Sequence, residues 1–378
     1  MKKILILIVM LLLYCTPCLA STISGVSGDI ENLSELIISG DGFGTNDLST
    51  ESLISVIENG TTGTDFLPRA RWSKEDKEDF IYSTSQSFSG DKSLYADLSI
   101  QNTAPLEYDC GNGIGTIYIS WRARIDIEDS DTGQWKMFRI SHQAVGTDTS
   151  PEQPWFHWFR GNDPFQQVQH INRCYQNSDS PDSDYSYSYW DNGATRQVYD
   201  ENTECPQDEE WFRYEVELTT SGTNTFNGST TVRIHRNNTI QTLVDERAVM
   251  NYSTATTALG RTMQYLIWQN YRGNGLDDAE IWLDDIFIQH DTTSRFELGN
   301  NSSYASCTQR FIQEPTAWAD DEVTINLNTG TASDSETWYL FHVVDGVASS
   351  GYAVTVGASG STTSTKLSNI KLSNITFN

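Results

Sequence analysis

Positive charge is scarce in this 378-residue sequence. Lysine and arginine total 24 against 51 aspartate and glutamate residues, which gives a formal net charge of −27. A field of that sign repels phosphate backbones, so nucleic acids and anionic membranes are poor partners. Charged residues nevertheless make up only 20% of the chain and aromatic residues 11%. That much aromatic surface supports a sizeable core, which excludes wholesale disorder.

Long apolar runs are equally scarce, and the longest spans residues 4–14. Lys2 and Lys3 precede it, and small residues follow up to Ala20. This order predicts a secretory signal peptide over residues 1–20, and the run is short of the roughly 20 residues that a membrane span needs. We therefore expect an exported protein, secreted or at the cell surface, with no membrane span in the mature chain.

Cysteine is rare, and two of the six residues lie in the predicted signal peptide. Zinc binding is not indicated, because the paired C-x-x-C or histidine spacing is missing. In an oxidising compartment, four cysteines predict two disulfides with three pairings. The favoured pairs are Cys174–Cys205, which would close a polar loop, and Cys110–Cys307.

Convincing amphipathic helices are missing, and alternating strands take their place. Residues 116–127 alternate strictly, with Tyr118, Arg122 and Arg124 on the polar side. A period of two over twelve residues predicts a half-buried strand. Shorter runs follow at residues 135–142, 211–218, 231–236, 263–268 and 280–289. Many strands with polar turns and no βαβ rhythm predict an all-β antiparallel sandwich.

The two ends of the chain differ from its middle. Residues 23–26, with residues 36–45 ending in Gly-Asp-Gly-Phe-Gly-Thr, resemble the opening strands of an IPT/TIG domain, a small immunoglobulin-like sandwich. Strands between Pro315 and Val356 resemble its closing strands. The resemblance implies a second sandwich inserted into the first; the alternative is two unrelated sets of short strands. The predicted division is residues 21–50 and 297–357 for the immunoglobulin-like sandwich, 51–296 for the insert and 358–378 for a Ser/Thr-rich tail.

The predicted insert has its own resemblance. Residues 83–94, the strand Trp211-Phe-Arg-Tyr-Glu-Val216 and the strand Ile281-Trp-Leu-Asp-Asp-Ile-Phe-Ile288 resemble three strands of concanavalin A-like jelly rolls, found in lectins, glucanases and polysaccharide lyases. The resemblance implies a jelly-roll β-sandwich about 240 residues long. It describes a fold and not a reaction.

In jelly rolls of this class, a concave sheet holds the sugar chain. Arginines on successive strands predict a positive groove that suits carboxylates or sulfates, because guanidinium binds them bidentately. The alternative is a convex face neutralised by cross-strand pairs such as Arg213 with Glu217. The candidate ligand-binding residues on these strands are Tyr118, Arg122, Arg124, Arg213 and Arg233.

A second candidate surface is the aromatic segment of residues 155–170. Its tryptophans, together with nearby glutamine and histidine, are typical of a sugar-stacking platform. The alternative is a strand buried against the other sheet. The residues proposed for this surface are Gln143, Trp155, Trp158 and His170.

Several enzyme motifs are absent, which narrows the chemistry. The sequence has no Glu-x-Asp-x-x-Glu strand of retaining glucanases, no Gly-x-Ser-x-Gly elbow and no His-Glu-x-x-His. A polysaccharide lyase needs less: an Arg or Gln that neutralises a uronate carboxylate, and a Tyr or His that moves a proton. Arg139, His142 and Tyr265 are the candidates for those roles.

These observations favour a secreted protein that binds a polysaccharide, anionic polymers included, on the jelly-roll sheet. A lyase acting by β-elimination on a uronate polymer is the alternative, and a surface adhesin or filament component is the second alternative. No cofactor is required. A structural calcium ion near the last jelly-roll strand would use Asp285, since clustered carboxylates bind Ca²⁺.

Overall fold

The computed structural model describes fourteen stretches of the chain, and every strand pair within them is antiparallel. The predicted fold class, an all-β antiparallel sandwich, is therefore confirmed. The described residues are 21–46, 50–66, 70–74, 80–97, 106–111, 114–126, 133–141, 155–160, 167–171, 196–198, 209–220, 227–249, 263–272 and 279–358.

Twenty-four strands, one short helix and one 3₁₀ turn make up the described chain. The helix is α1 (Ile54–Glu58), and the 3₁₀ turn is Tyr304–Ser306. The strands are β1 (Thr22–Ser27), β2 (Glu35–Asp41), β3 (Thr50–Ser52), β4 (Trp72–Lys74), β5 (Ile81–Ser83), β6 (Ser93–Asp97), β7 (Leu106–Asp109), β8 (Thr116–Asp126), β9 (Gly133–Ser141), β10 (Trp155–Arg160), β11 (Gln167–Ile171), β12 (Arg196–Val198), β13 (Phe212–Thr219), β14 (Gly228–Arg236), β15 (Thr239–Val249), β16 (Tyr265–Arg272), β17 (Glu280–His290), β18 (Arg295–Gly299), β19 (Arg310–Ile312), β20 (Glu314–Trp318), β21 (Glu322–Asn326), β22 (Thr337–Val344), β23 (Val347–Ala348) and β24 (Tyr352–Thr355).

The larger sandwich consists of a seven-stranded and an eight-stranded sheet. The seven-stranded sheet has the order β12-β11-β10-β9-β16-β7-β4. The eight-stranded sheet has the order β15-β14-β13-β8-β17-β6-β5, with β3 added alongside β17. Alternate residues of both sheets bury apolar side chains between them, and Trp121 packs there against Phe138 and Trp268, with ring centroids 4.4 Å and 6.0 Å away.

The smaller sandwich is assembled from both ends of the described chain. Its four-stranded sheet has the order β1-β2-β21-β20, and its five-stranded sheet has the order β19-β18-β22-β23, with β24 beside β22. In the first sheet Leu36 of β2 pairs with Ile325 of β21. Both are fully buried in a core that also contains Phe296, Trp338 and Leu340. The large sandwich therefore lies, in sequence, between two parts of the small one.

The glycine-rich segment after β2 shapes this small core. Gly42 and Gly44 have φ values of +75° and +73°, a region that L side chains rarely adopt. These turns direct Phe43 into the core, where its ring packs edge-on against Phe296 at 5.2 Å. A Cβ at Gly40 would lie 2.2 Å from the Phe43 ring, so glycine is also required there by space.

The small sandwich covers the outward face of the eight-stranded sheet. The Arg295 guanidinium of β18 lies 3.8 Å above the Tyr118 ring of β8. Arg122 and Arg213 reach across to donate to the backbone carbonyl of Arg310, at 3.1 Å and 2.9 Å. The contact between the sandwiches is therefore charged and hydrogen-bonded. Within the stretches described, no helix is long and apolar enough to cross a membrane.

Candidate functional site

The arginine-rich face of the eight-stranded sheet is buried, contrary to the expectation that it binds a saccharide. Tyr118, Arg122 and Arg213 are 0%, 5% and 1% exposed. The small sandwich packs directly on them, so a polymer cannot lie along these strands. The alternative drawn from the sequence, a face neutralised by arginine–glutamate pairs, is nearer to the structure, but the pair it named differs. Arg213 pairs with Glu215 and Glu297, and Glu217 pairs with Arg233 and Arg295.

Glutamate side chains, and not a saccharide, pair with the arginines of this face. Arg213 Nη2 lies 2.7 Å from Glu215 Oε1 on its own strand, and Arg213 Nη1 lies 3.7 Å from Glu297 Oε2 of the small sandwich. Arg295 of the small sandwich pairs across the junction with Glu217 Oε1 of the large sandwich, at 3.2 Å. It also pairs with Glu297 Oε1 on its own strand, at 2.6 Å. We call these side chains, together with Arg233, His235 and Arg310, the junction network.

Contacts with neighbouring arginines keep the buried Glu215 of the junction network ionised. Burial alone would raise the pKa of Glu215, but the charges of Arg213 and Arg295 reverse this effect and hold that pKa well below its usual value. Burial lowers the pKa of His235 to about 4, although Glu215 Oε2 lies 3.0 Å from its Nε2. At neutral pH, Glu215 is therefore ionised and His235 is neutral.

Asp285 belongs to the same junction and is not an open metal ligand. Its Oδ2 accepts from Arg122 Nε at 3.2 Å, and its Oδ1 accepts from Ser89 Oγ at 2.6 Å and Asn328 Nδ2 at 2.9 Å. Burial lowers the pKa of Arg122 to about 10, and the Asp285 charge opposes that shift. Protein donors thus occupy the carboxylate that the calcium hypothesis needed. The described residues contain no cluster of three side chains suited to a metal ion.

The remaining residues of the arginine-rich set lie at the margins of the covered face. Arg124 is half-buried near the end of β8, and its guanidinium lies 5.8 Å from the centroid of the Trp282 ring. Arg233 lies at the rim of the junction, where its Nη1 is 3.2 Å from Glu217 Oε1. Neither residue is part of an open sheet face.

The predicted disulfide between Cys110 and Cys307 is wrong. Both residues are buried free thiols, and they belong to different cores. Cys110 packs in the large sandwich, whereas Cys307 packs against Phe341 and Val343 in the small one. Cys174 and Cys205 lie outside the described residues, so their pairing stays a prediction.

The outward face of the seven-stranded sheet brings together two of the three candidate catalytic residues. Phe138, Ile140, Leu266 and Trp268 point into the core, so the alternate residues Arg139, Tyr265 and Ile267 point away from it. Arg139 of β9 pairs with Ile267 of β16, and Tyr265 lies two residues along the same strand. Diagonal neighbours of this kind are about 7–8 Å apart. His142, the third candidate, lies outside the described residues.

Two acidic residues of β7 lie beside these side chains. Glu107 pairs with Ile267, and Asp109 pairs with Tyr265. Glu107 accepts a hydrogen bond from Ser73 Oγ of β4 at 3.0 Å. We call Arg139, Tyr265, Ile267, Glu107 and Ser73 the sheet row. Glu107 and Ser73 were not predicted from the sequence; the alternation in Leu106-Glu-Tyr-Asp109 was the available signal, but four residues are too few to stand out.

Tyr265 is the titratable member of the sheet row with a partly accessible side chain. Its hydroxyl accepts from Gln264 Nε2 at 3.0 Å. Burial raises the pKa of Tyr265, the charges of Asp109 and Glu107 add to this effect, and the Gln264 hydrogen bond opposes it. The phenol is therefore protonated at neutral pH and suited to donate a proton.

The aromatic segment falls in the same sheet, beside Arg139. The backbone of Trp155 pairs with Arg139, and that of Trp158 pairs with Trp135. His170 pairs with Phe156 on one side and with Arg196 on the other. These register positions place β10 and β11 next to the sheet row. Gln143 lies outside the described residues.

Comparisons with known proteins give fold-level similarities at low identity. No family model and no curated protein sequence matches the chain. A PL-14 alginate lyase from Aplysia kurodai aligns at 10% identity over 58% of this chain and 89% of its own, with a TM-score of 0.39. An endo-β-1,4-glucuronan lyase from Trichoderma reesei aligns at 12% over 61% and 95%, with a TM-score of 0.37.

A xylan-binding domain is similar to the chain as well. The CBM22-2 domain of Xyn10C from Paenibacillus barcinonensis aligns at 8% identity over 64% of this chain and 98% of its own, with a TM-score of 0.29. Similarities of this size include both cleaving and binding proteins. They assign no activity to this chain. Its activity has to be argued from its own residues.

Proposed function

We propose that this protein is a polysaccharide lyase that acts on a uronate-containing polymer along the seven-stranded sheet. The observation that carries the proposal is the position of Arg139 and Tyr265 on adjacent strands of one face. The opposite sheet is excluded as the binding surface, because the small sandwich covers it.

Arg139 is assigned to the substrate carboxylate. β-Elimination removes the proton at C5, next to that carboxylate, and negative charge develops on it during the step. A guanidinium neutralises this charge bidentately, and it does so more strongly where water is excluded. Arg139 is 5% exposed, as buried as Arg122 of the covered face, so water around it is limited and a substrate would reach it beside the half-buried Tyr265.

Tyr265 is assigned to the leaving group. As the C5 proton is removed, the C4–O4 bond breaks, a C4=C5 double bond forms, and O4 takes a proton. A protonated phenol is the form that the raised pKa of Tyr265 maintains. His142, the candidate base from the sequence, follows the last residue of β9 and lies outside the described residues, so its role as the base stays a prediction. Since residues 1–20 are typical of a signal peptide, we place this activity outside the cell.

The test is absorbance at 235 nm, where the unsaturated product absorbs, with alginate, glucuronan, pectin and sulfated glycans as substrates. We expect a rise with one polymer. Tyr265→Phe should lower kcat by about 10²–10⁴-fold, because it removes the transferred proton. Tyr352→Phe, which removes a phenol from the small sandwich, is the matched control and should leave the rate unchanged.

Three results would contradict parts of this assignment. A rise that survives Tyr265→Phe removes Tyr265 from the reaction. No rise with any polymer, combined with measurable affinity for one, replaces the lyase with a carbohydrate-binding protein. If no polymer of the panel is cleaved or bound, the remaining candidate is a surface adhesin or filament component.

A further inference from the structure

A pocket opens at the seam between the two sandwiches, away from the sheet row. Its volume is about 480 Å³, within the range of small-molecule sites. Arg233 and Asn238 line it from the large sandwich, and Arg295, Tyr304, Thr308 and Arg310 line it from the small one. We call this space the seam pocket.

A smaller cavity of about 220 Å³ adjoins the seam pocket. It shares Asn238, Thr308 and Arg310 with the seam pocket. A hydrogen bond from Gln309 Nε2 to Asn238 Oδ1, at 2.7 Å, joins the two sandwiches beside the shared residues. Arg310 therefore lies in the wall common to both spaces.

Charges around the seam pocket do not balance. Four guanidinium groups, those of Arg213, Arg233, Arg295 and Arg310, face the three carboxylates of the junction network. The first three arginines each lie within 4 Å of a glutamate oxygen. Arg310 has no carboxylate at that distance among the described residues, and His235 is neutral. The junction network thus has one more arginine than carboxylate, and Arg310, which lines the pocket, is the arginine with no described carboxylate within 4 Å.

Arg310 is held in place without a carboxylate of the described chain at ion-pair distance; its charge contributes to the lowered pKa of Glu297, which lies beyond 4 Å. Its guanidinium lies 3.8 Å over the Tyr304 ring, and its Nη2 donates to the Tyr304 carbonyl at 3.0 Å. Its Nε is buried and has no hydrogen-bond partner. Burial raises the pKa of the adjacent Cys307 thiol, and the Arg310 charge opposes that rise. A buried cation without a counter-charge is unfavourable, so this position favours a bound anion.

We propose that the seam pocket binds a sugar acid, with its carboxylate directed at Arg310. A guanidinium matches a carboxylate bidentately, and in a chain of net charge −27 an anion needs a local positive site. Asn238 and Thr308 are exposed and supply an amide and a hydroxyl for sugar hydroxyls. The half-buried Tyr304 supplies a ring. This second site does not depend on catalysis at the sheet row.

The test is calorimetric titration of the full-length protein with D-glucuronate, D-glucose and sodium sulfate at matched ionic strength. We expect glucuronate to bind, and glucose to bind at least about tenfold more weakly, because it lacks the carboxylate. Arg310→Gln should weaken glucuronate binding by about tenfold or more, and Arg310→Lys should weaken it less. Lys92→Gln, which removes one positive charge just before β6, near the opposite edge of the eight-stranded sheet from β14, should have no effect.

The outcomes separate this site from the sheet row. The binding event that Arg310→Gln weakens should persist in Arg139→Lys; loss of all glucuronate binding in Arg139→Lys, with none lost in Arg310→Gln, would move the site to the sheet row and overturn the proposal. Equal binding of sulfate and glucuronate would show that the pocket binds anions without selecting a sugar acid, which would overturn the proposal. If Arg310→Gln does not fold, Thr308→Ala removes an exposed hydroxyl instead and should weaken binding by about threefold. An unchanged affinity in that variant would count against the proposal.

Discussion

The two sheets of the large sandwich carry arginines on their outward faces, but the arginines have different surroundings. On the eight-stranded sheet, Arg122 and Arg213 lie directly opposite each other, an arrangement that is unfavourable for like charges. The Arg310 carbonyl accepts from both, and Asp285 and Glu215 pair with one each. On the seven-stranded sheet, Arg139 instead lies opposite Ile267, with Glu107 on the strand beyond.

The comparison shows that what covers a face decides its role. Both rows follow from the same alternation of polar and apolar residues along a strand. The small sandwich supplies Glu297, Arg295 and the Arg310 carbonyl to one row, and that row becomes a domain junction. The sheet row receives none of these partners, and it keeps a half-buried Tyr265 beside Arg139.

The largest expected effect concerns the junction. Glu297→Gln removes the charge that pairs with Arg295 and Arg213, leaving buried guanidinium groups under-compensated. The free energy of unfolding should fall by about 3–5 kcal/mol. Glu322→Gln, on an exposed position of β21, is the matched control and should change it by less than about 0.5 kcal/mol. Guanidinium chloride unfolding followed by tryptophan fluorescence measures both, and equal midpoints would mean that the network does not stabilise the fold.

An exchange of arginine for lysine on each sheet separates the two roles. Arg139→Lys should lower kcat/KM by about 100-fold, because lysine cannot bind a carboxylate bidentately. Arg213→Lys should leave kcat/KM near its original value and lower the unfolding midpoint instead. The measurements are initial rates at 235 nm and denaturant midpoints for both variants. The same response in both variants would remove the proposed difference between the faces.

The last expected effect is a pH dependence of stability that originates in His235. The pKa of His235 is about 4 in the folded protein, below the ordinary value of about 6.5, so the unfolded chain binds a proton first. Its contribution to stability is complete above pH 6.5 and is lost as the pH falls towards 4. The loss by pH 4 should be about 3 kcal/mol.

The control for this pH dependence is His235→Gln, which cannot titrate. Its unfolding free energy should change less between pH 6.5 and 4 than that of the original protein, measured under the same buffer and salt. Parallel curves for the two proteins would show that His235 is not the origin of the dependence.

Strand positions were predictable because alternation is a local property. The predicted strand at residues 116–127 corresponds to β8 at Thr116–Asp126, and the positive φ values of Gly42 and Gly44 follow from their place in the Gly-Asp-Gly-Phe-Gly segment. The sequence also contained the pair Arg139 and Tyr265. Their proximity depends on which strands become neighbours, and β9 pairs with β16 across more than 100 residues.

The fate of the arginine-rich face was not predictable from its own strands. The carboxylate of Glu297 and the carbonyl of Arg310, which occupy Arg213, come from the small sandwich and lie far away in sequence. Likewise, the pairing of Cys110 with Cys307 was predicted only from the even count of cysteines. The sequence does not show that the two residues belong to separate cores.

The division of the small sandwich has a consequence for the order in which the chain folds. Asn32 accepts a hydrogen bond from the backbone of Thr329, which lies 297 positions later. Strand β2 therefore cannot pair with β21 until the entire large sandwich has been synthesised. Contacts so distant in sequence form slowly. Closing a flexible loop of that length costs entropy, whereas a folded large sandwich already holds its two ends together at β3 and β17. The large sandwich thus serves as the template on which the small one closes, and a chain stopped before β21 would expose β2 as an unpaired edge.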